Sequence, residues 1–170
     1  MKIYEIDTKA YDTILLDRDG TINVHIIGNY VCKWDDFEFI PNVVERIAYW
    51  TLCDKKIYIV TNQRGIAKGK YTDKDLFDIH TRMLEIIENA GGRINGIYYC
   101  SALTETDIRR KPGRGMFDDI LRDHPEVDPL RTLMIGDSDI DREFAKNCGI
   151  AFQRVDSLKY ENGIRYWVKG

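Results

Sequence analysis

Ile14-Leu15-Leu16-Asp17-Arg18-Asp19-Gly20-Thr21 is a short apolar run that stops at two aspartates separated by one residue. A fully apolar run of this length suits a strand buried on both faces of a parallel sheet. The pattern recurs. Ile57-Tyr58-Ile59-Val60 ends in Thr61-Asn62, Ile97-Tyr98-Tyr99-Cys100 is a third run, and Leu133-Met134-Ile135 passes into Gly136-Asp137; Phe152 to Val155 is a fifth. Helical spacing fills the intervals. Asn42 to Thr51 follows Pro41. In Thr72 to Ala90, residues Leu76, Ile79, His80, Met83, Leu84, Ile86 and Ile87 share a face, with Thr72 as cap and Gly91 as stop. Arg114 to Asp123 stops before Pro125, and Ile140 to Cys148 stops at Gly149. This alternation predicts a doubly wound α/β fold, a mainly parallel sheet with helices on both faces, with residues 1–170 as one domain. Such folds bind ligands at the carboxyl ends of their strands, where the polar clusters of this chain fall.

Bulk properties narrow the function classes. The chain has 170 residues, 44% hydrophobic and 31% charged, with a net charge of −3. That balance carries no basic footprint for nucleic acid. No apolar stretch is long enough for a membrane helix, and Met1 to Asp12 lacks the apolar core of a signal peptide. Cys32, Cys53, Cys100 and Cys148 have no paired spacing, which predicts reduced thiols in a cytoplasmic protein. Nothing in the sequence specifies an oligomeric state.

The chemistry starts at Asp17 and Asp19. Residues two apart on an extended chain face the same side. Two such carboxylates repel unless a cation sits between them or one is protonated. This fits a Mg²⁺ site in which one carboxylate is also a nucleophile; an ordinary acidic turn after a strand is the alternative. Gly136-Asp137-Ser138-Asp139-Ile140-Asp141 adds carboxylates at the same sheet edge. Capping and the helix dipole explain one aspartate there more easily than three. Arg109-Arg110-Lys111 supplies cations able to neutralise a transferring phosphoryl group. Thr61, Asn62 and Gln63 offer a hydroxyl and two amides to phosphate oxygens.

In this order the segments resemble the haloacid dehalogenase superfamily of phosphohydrolases over roughly Thr13 to Val155, which implies a Rossmann-like sheet. Asp17 to Asn23, Thr61 to Gly69, Gly96 to Cys100 and Arg110-Lys111-Pro112 further resemble the branch that contains heptose bisphosphate and histidinol-phosphate phosphatases. The resemblance implies that Asp17 attacks phosphorus. By the same resemblance, Asp19 would protonate the leaving oxygen and later activate water, and Mg²⁺ would be held by Asp17, the Asp19 carbonyl and Asp137, with Asp141 orienting them. The resemblance also implies that Thr61 and Lys111 bind the phosphoryl oxygens and that Asn62 and Arg110 meet the rest of the substrate; Gln63 and Arg64 beside Asn62 are expected to join them. The intervals between motifs leave no room for a cap domain, so Gly28 to Asp36 and Arg64 to Tyr71 are expected to shape the pocket. The expected activity is Mg²⁺-dependent hydrolysis of a small sugar phosphate, D-glycero-D-manno-heptose 1,7-bisphosphate by the 7-phosphate route. Histidinol phosphate and a nucleic acid 3′-phosphate are the alternative substrates, and a non-catalytic phosphate-binding module is the alternative class.

Two departures from the branch carry expectations of their own. Its zinc loop is missing, since Cys100 is followed by Ser101 and Ala102 and Thr106 to Arg109 supplies no cysteine; one cysteine cannot close a tetrahedral site, so no structural zinc is expected. Ser138 stands where the branch often has Lys or Arg, and Arg64 stands where it often has Ser or Asp. Arg64 is therefore expected to anchor a polar or anionic part of the substrate, unless it is a plain surface arginine. His80 is expected to be packed, and Ile164 to Val168 to dock against the sheet.

Overall fold

The computed structural model describes residues 1–170. Its frame is a five-stranded parallel sheet of β1 (Thr13–Leu16), β3 (Lys56–Asn62), β4 (Gly96–Cys100), β5 (Thr132–Gly136) and β6 (Ala151–Arg154), in the order β4-β3-β1-β5-β6. All five expected strands and all four expected helices are present. The helices are α1 (Val43–Leu52), α2 (Asp73–Asn89), α3 (Gly115–Asp123) and α4 (Asp139–Cys148).

Alternation along the strands sorts the core into two layers. Ile14, Leu16, Ile57, Ile59, Leu133 and Ile135 face α1 and α2, meeting Ile47, Trp50, Ile79 and Met83. Leu15, Tyr58, Val60 and Met134 face α3 and α4, meeting Phe117, Ile120, Phe144 and Ala145. The central strands are buried on both faces as their composition demands. The edge strands β4 and β6 are mostly only half-buried. Truncating a central residue such as Ile59 to Ala would cost about 2–5 kcal/mol.

The chain runs outward from β1 through β3 to β4, then crosses back to β5 on the other side of β1. The strand order therefore reverses at β1, and the crevice at its carboxyl end is the natural ligand position. No helical insertion covers that edge. A second sheet, β2 (His25–Ile26), β7 (Ser157–Glu161) and β8 (Ile164–Val168), stands beside it in the order β2-β7-β8. This corrects the expectation for Ile164 to Val168. The segment does not dock against the main sheet; it is exposed along its whole length and pairs only with β7. Asn162 and Gly163 have φ of 48° and 84°, the two left-handed residues of a tight hairpin turn. No helix is long and apolar enough to cross a membrane.

Candidate active site

The loops after β1, β3 and β5 meet at the reversal point and line a cavity of about 670 Å³. Asp17 follows β1, and its N–H donates to the Ile135 carbonyl at 3.0 Å, tying it to β5. The turn behind it is tight. The Arg18 carbonyl accepts from the N–H groups of Thr21, Ile22 and Asn23 at 3.2, 2.7 and 3.1 Å. Gly20 has φ +96°, and a Cβ there would lie 2.5 Å from Asp137 Oδ2. Glycine is required by both backbone and space.

Carboxylate oxygens of Asp17, Asp137 and Asp141 lie within 4.8 Å of one another. Burial, then the charge of Asp141, holds the Asp17 carboxyl well above the usual carboxylate range. The same two causes raise Asp137. Lys111 offsets part of this repulsion. Its Nζ donates to Asp17 Oδ1 at 2.7 Å and to Asp141 Oδ1 at 2.6 Å, with its side chain 2% exposed. Burial alone would lower the Lys111 pKa, but the charges of Asp141 and Asp17 raise it, so it is an ammonium. Asp137 makes no ion pair, and the charges of His25 and Lys159 count for less there than burial and Asp141. Three crowded oxygen donors with one uncompensated carboxylate suit a hard divalent cation.

Asp141 also serves the fold. Its Oδ2 accepts from Ser138 Oγ at 2.6 Å and Ser138 N at 3.1 Å, closing a capping box at the start of α4. Capping and a place in the acidic cluster are thus both true of this residue. Asp139 is exposed and pairs with Arg142 and Arg154 outside the cluster.

Asp19 is not part of the three-acid group, and its carboxylate sits in a shell of donors. Arg18 Nη2, Asn23 Nδ2 and Gln63 Nε2 reach its carboxylate at 2.9, 3.0 and 3.0 Å. Burial pushes its pKa up, but Arg18 and these hydrogen bonds outweigh burial and leave it below the ordinary value. Gln63 is itself fixed, donating to Thr61 Oγ1 at 2.8 Å and accepting from the Tyr71 hydroxyl. Asn62 lines the cavity, yet its amide is occupied by the Lys111 backbone. It accepts from Lys111 N at 2.9 Å and donates to Lys111 O at 3.0 Å. Asn62 and Gln63, expected to meet substrate, hold Lys111 and Asp19 in place. Thr61 is buried at the end of β3 behind them. Arg110 is buried and lines the cavity, while Arg64 is exposed on its rim.

His80 is packed, as expected, but it also does something the helical pattern did not signal. Its Nε2 lies 3.2 Å from Arg18 Nη1. Burial and the Arg18 charge lower its pKa from 6.5 to about 3, so the neutral ring accepts from Arg18. The unfolded chain takes this proton before the folded one does. Stability from His80 is therefore complete above its ordinary pKa and is lost as pH falls below it, by about 1.4 kcal/mol per unit. Between pH 7 and 4.5 the wild type should lose about 2–3 kcal/mol that His80→Gln does not. Denaturant titrations of both proteins at the two pH values check this, and equal losses would contradict it.

The chain matches the family described as polynucleotide kinase 3 phosphatase over residues 12–157. The chain belongs to the polynucleotide kinase 3 phosphatase family. Members of this family are HAD-like phosphatases, and this one has the parallel sheet and acidic strand ends that such an enzyme requires. Among its relatives is a D-glycero-alpha-D-manno-heptose-1,7-bisphosphate 7-phosphatase of Mycobacterium bovis, 34% identical over 139 residues, covering 81% of this chain and 73% of that one. A D-glycero-beta-D-manno-heptose-1,7-bisphosphate 7-phosphatase of Rhodopseudomonas palustris is 34% identical over 143 residues, covering 79% and 78%. Among solved structures, a D,D-heptose 1.7-bisphosphate phosphatase from B. bronchiseptica, complexed with magnesium and phosphate, superposes with a TM-score of 0.80. It is 32% identical and covers 85% of this chain and 80% of that one.

The sequence reading missed one wall of the cavity. Gly28, Asn29, Tyr30, Arg64 and Lys68 line it from the two expected loops, with His25 just before the first, but Lys159, Val168 and Lys169 line it from the C-terminal hairpin and the residue after it. The signal was present in Asn162-Gly163, a hairpin dipeptide between two runs of similar length.

Proposed function

We propose that this phosphatase is a Mg²⁺-dependent sugar phosphate phosphatase acting on D-glycero-D-manno-heptose 1,7-bisphosphate at the 7-phosphate, with residues 1–170 as one catalytic domain. One observation carries the reading: Asp17 stands at the strand-order reversal with Oδ1 held by Lys111, open to a strongly cationic cavity. Eight lysines and arginines and five aspartates line that cavity, an excess of three positive charges, in a chain whose net charge is −3. An anionic substrate is favoured, and one with more than one phosphate uses the excess best.

In the proposed mechanism, Lys111 fixes Asp17 Oδ1 and leaves Oδ2 to attack phosphorus. The bond from phosphorus to the leaving oxygen breaks, and Asp19 hands that oxygen a proton. The donors around Asp19 keep it ionised in the free enzyme, so this proton enters with the substrate monoanion. Asp19, again a carboxylate, then takes a proton from water as the water attacks the aspartyl-phosphate. The new phosphate departs, Asp19 gives its proton up to solvent, and both carboxylates are regenerated. Asp17, Asp137 and the Asp19 carbonyl would hold Mg²⁺, with Asp141 behind them, and the ion supplies charge neutralisation for carboxylates and phosphoryl oxygens. Thr61 and Lys111 stabilise the transferring group, while Arg64 and Arg110 face the remainder of the substrate. Four free cysteines suit a reducing compartment, and we assign the enzyme to the cytoplasm.

The test is phosphate release with Mg²⁺ from both heptose bisphosphate anomers, histidinol phosphate, hexose phosphates and a 3′-phosphorylated oligonucleotide. A heptose bisphosphate anomer should give the highest kcat/KM. Preference for histidinol phosphate or the oligonucleotide would replace the substrate assignment. Metal analysis of the same protein should return magnesium and no stoichiometric zinc.

A further inference from the structure

The hairpin β7–β8 lies almost entirely beyond the family match, which ends at residue 157, yet it forms one wall of the cavity. Its orientation follows from alternation. Leu158 and Tyr160 turn back onto Val24 and Ile40. Lys159 turns the other way and lines the cavity. The neighbouring strands repeat the arrangement. His25 is the partner of Lys159 and Val168 is the partner of Ser157, and both line the cavity. Lys169 continues the same wall.

This wall is anchored at both ends. Ser157, 2% exposed, sits against the Gly20 turn, where a Cβ would come within 2.8 Å of its hydroxyl. On the outer side, Arg165 Nε donates to Glu38 Oε2 at 2.8 Å. The backbone N–H of Gly170 donates to Asp156 Oδ1 at 3.0 Å and tethers the segment that carries Lys169.

Lys159 and Lys169 have no ion-pair partner, whereas Arg154 beside them is paired with Asp139. Lys111 already serves Asp17. Two ammonium groups outside any ion pair, Lys159 with only a minor pull on Asp137, stand on one anchored wall and are available to an anion other than the one being cleaved. We propose that the β7–β8 hairpin is a specificity wall whose Lys159 and Lys169 hold a second phosphate of the substrate. This deepens the bisphosphate reading and rests on it only in placing the scissile phosphate at Asp17. Lysines act here as point charges, so the contact is salt-sensitive and tolerant of the sugar that carries the phosphate.

The test uses p-nitrophenyl phosphate as substrate with Mg²⁺, and a hexose 1,6-bisphosphate or a hexose 6-phosphate as competitor. The wild type should bind the bisphosphate more tightly, with a Ki ratio of about tenfold. In Lys159→Ala/Lys169→Ala the ratio should fall close to one, through a higher Ki for the bisphosphate. Lys169→Ala alone, at an exposed position, should show a partial fall of about threefold and keeps the test decisive if the double variant folds poorly. An unchanged ratio in the variants, or an equal rise in both Ki values, would overturn the proposal. Rejection of heptose bisphosphate in the hydrolysis panel, with the competition ratio behaving as expected, would remove the substrate assignment and leave the wall in place.

Discussion

Asp17→Asn should lower kcat by about 10⁴-fold or more, as removal of a nucleophile does in enzymes that form covalent intermediates. A neutral amide has no charged oxygen to direct at phosphorus and cannot be regenerated by hydrolysis as a carboxylate can. The same change should leave the metal-free protein at least as stable as the wild type at neutral pH. The Asp17 carboxyl is raised by burial and by the charge of Asp141. Stability linked to its protonation is present below the ordinary carboxylate pKa and is lost as pH rises through the higher folded value. At pH 7 its charge therefore counts against the fold, and the amide removes that charge. Phosphate release measures the first effect, and melting temperature in a chelator measures the second. Activity within tenfold of wild type would remove Asp17 from its role. A large fall in metal-free melting temperature would show that the pair with Lys111 outweighs repulsion among the acids.

Lys111→Met should destabilise the protein by about 3–5 kcal/mol, the usual cost of stripping the counter-charge from buried ions. Lys111 bridges Asp17 and Asp141 at 2.7 and 2.6 Å, and methionine fills its volume without its charge. Asp17 and Asp141 would then face each other uncompensated, so Asp141→Asn added to Lys111→Met should restore part of the loss, as should mild acid. Turnover should also fall by about 10²–10³-fold, because the charge facing the phosphoryl group is gone. Denaturant unfolding of the single and double variants gives the coupling directly. A single variant within 1 kcal/mol of wild type would mean that Lys111 serves chemistry alone.

The main sheet was readable because its strands are unbroken apolar runs. Ile57 to Val60 has no polar face to present, so only a site between two helical layers accommodates it. The acids at the ends of β1 and β5 were readable for the complementary reason. Carboxylates just beyond a buried strand have no packing role and stand out against the apolar background. Asn62 and Gln63 were legible as polar strand-end residues but not as to their partners. Which of their hydrogen bonds form depends on how closely the Lys111 backbone and Asp19 approach, and these lie 49 and 44 residues away in the chain. His80 was hidden in the same way. At helical spacing it counts as one more core position, and its contact with Arg18 arises only when α2 is laid across the β1 turn.

The amino-acid sequence by itself determined the parallel α/β frame, the four main helices, and the placing of Asp17, Asp19, Asp137 and Lys111 at one sheet edge, because local periodicity and strand-end chemistry need no knowledge of distant contacts. Tertiary structure alone decided that Asp141, expected beside the metal ligands, also caps α4, that Asp19 is held ionised by three donors, and that the C-terminal hairpin walls the cavity. The last two outcomes depend on charges and hydrogen-bonding groups from separate segments coming within a few ångströms, a distance that folding sets and residue order does not.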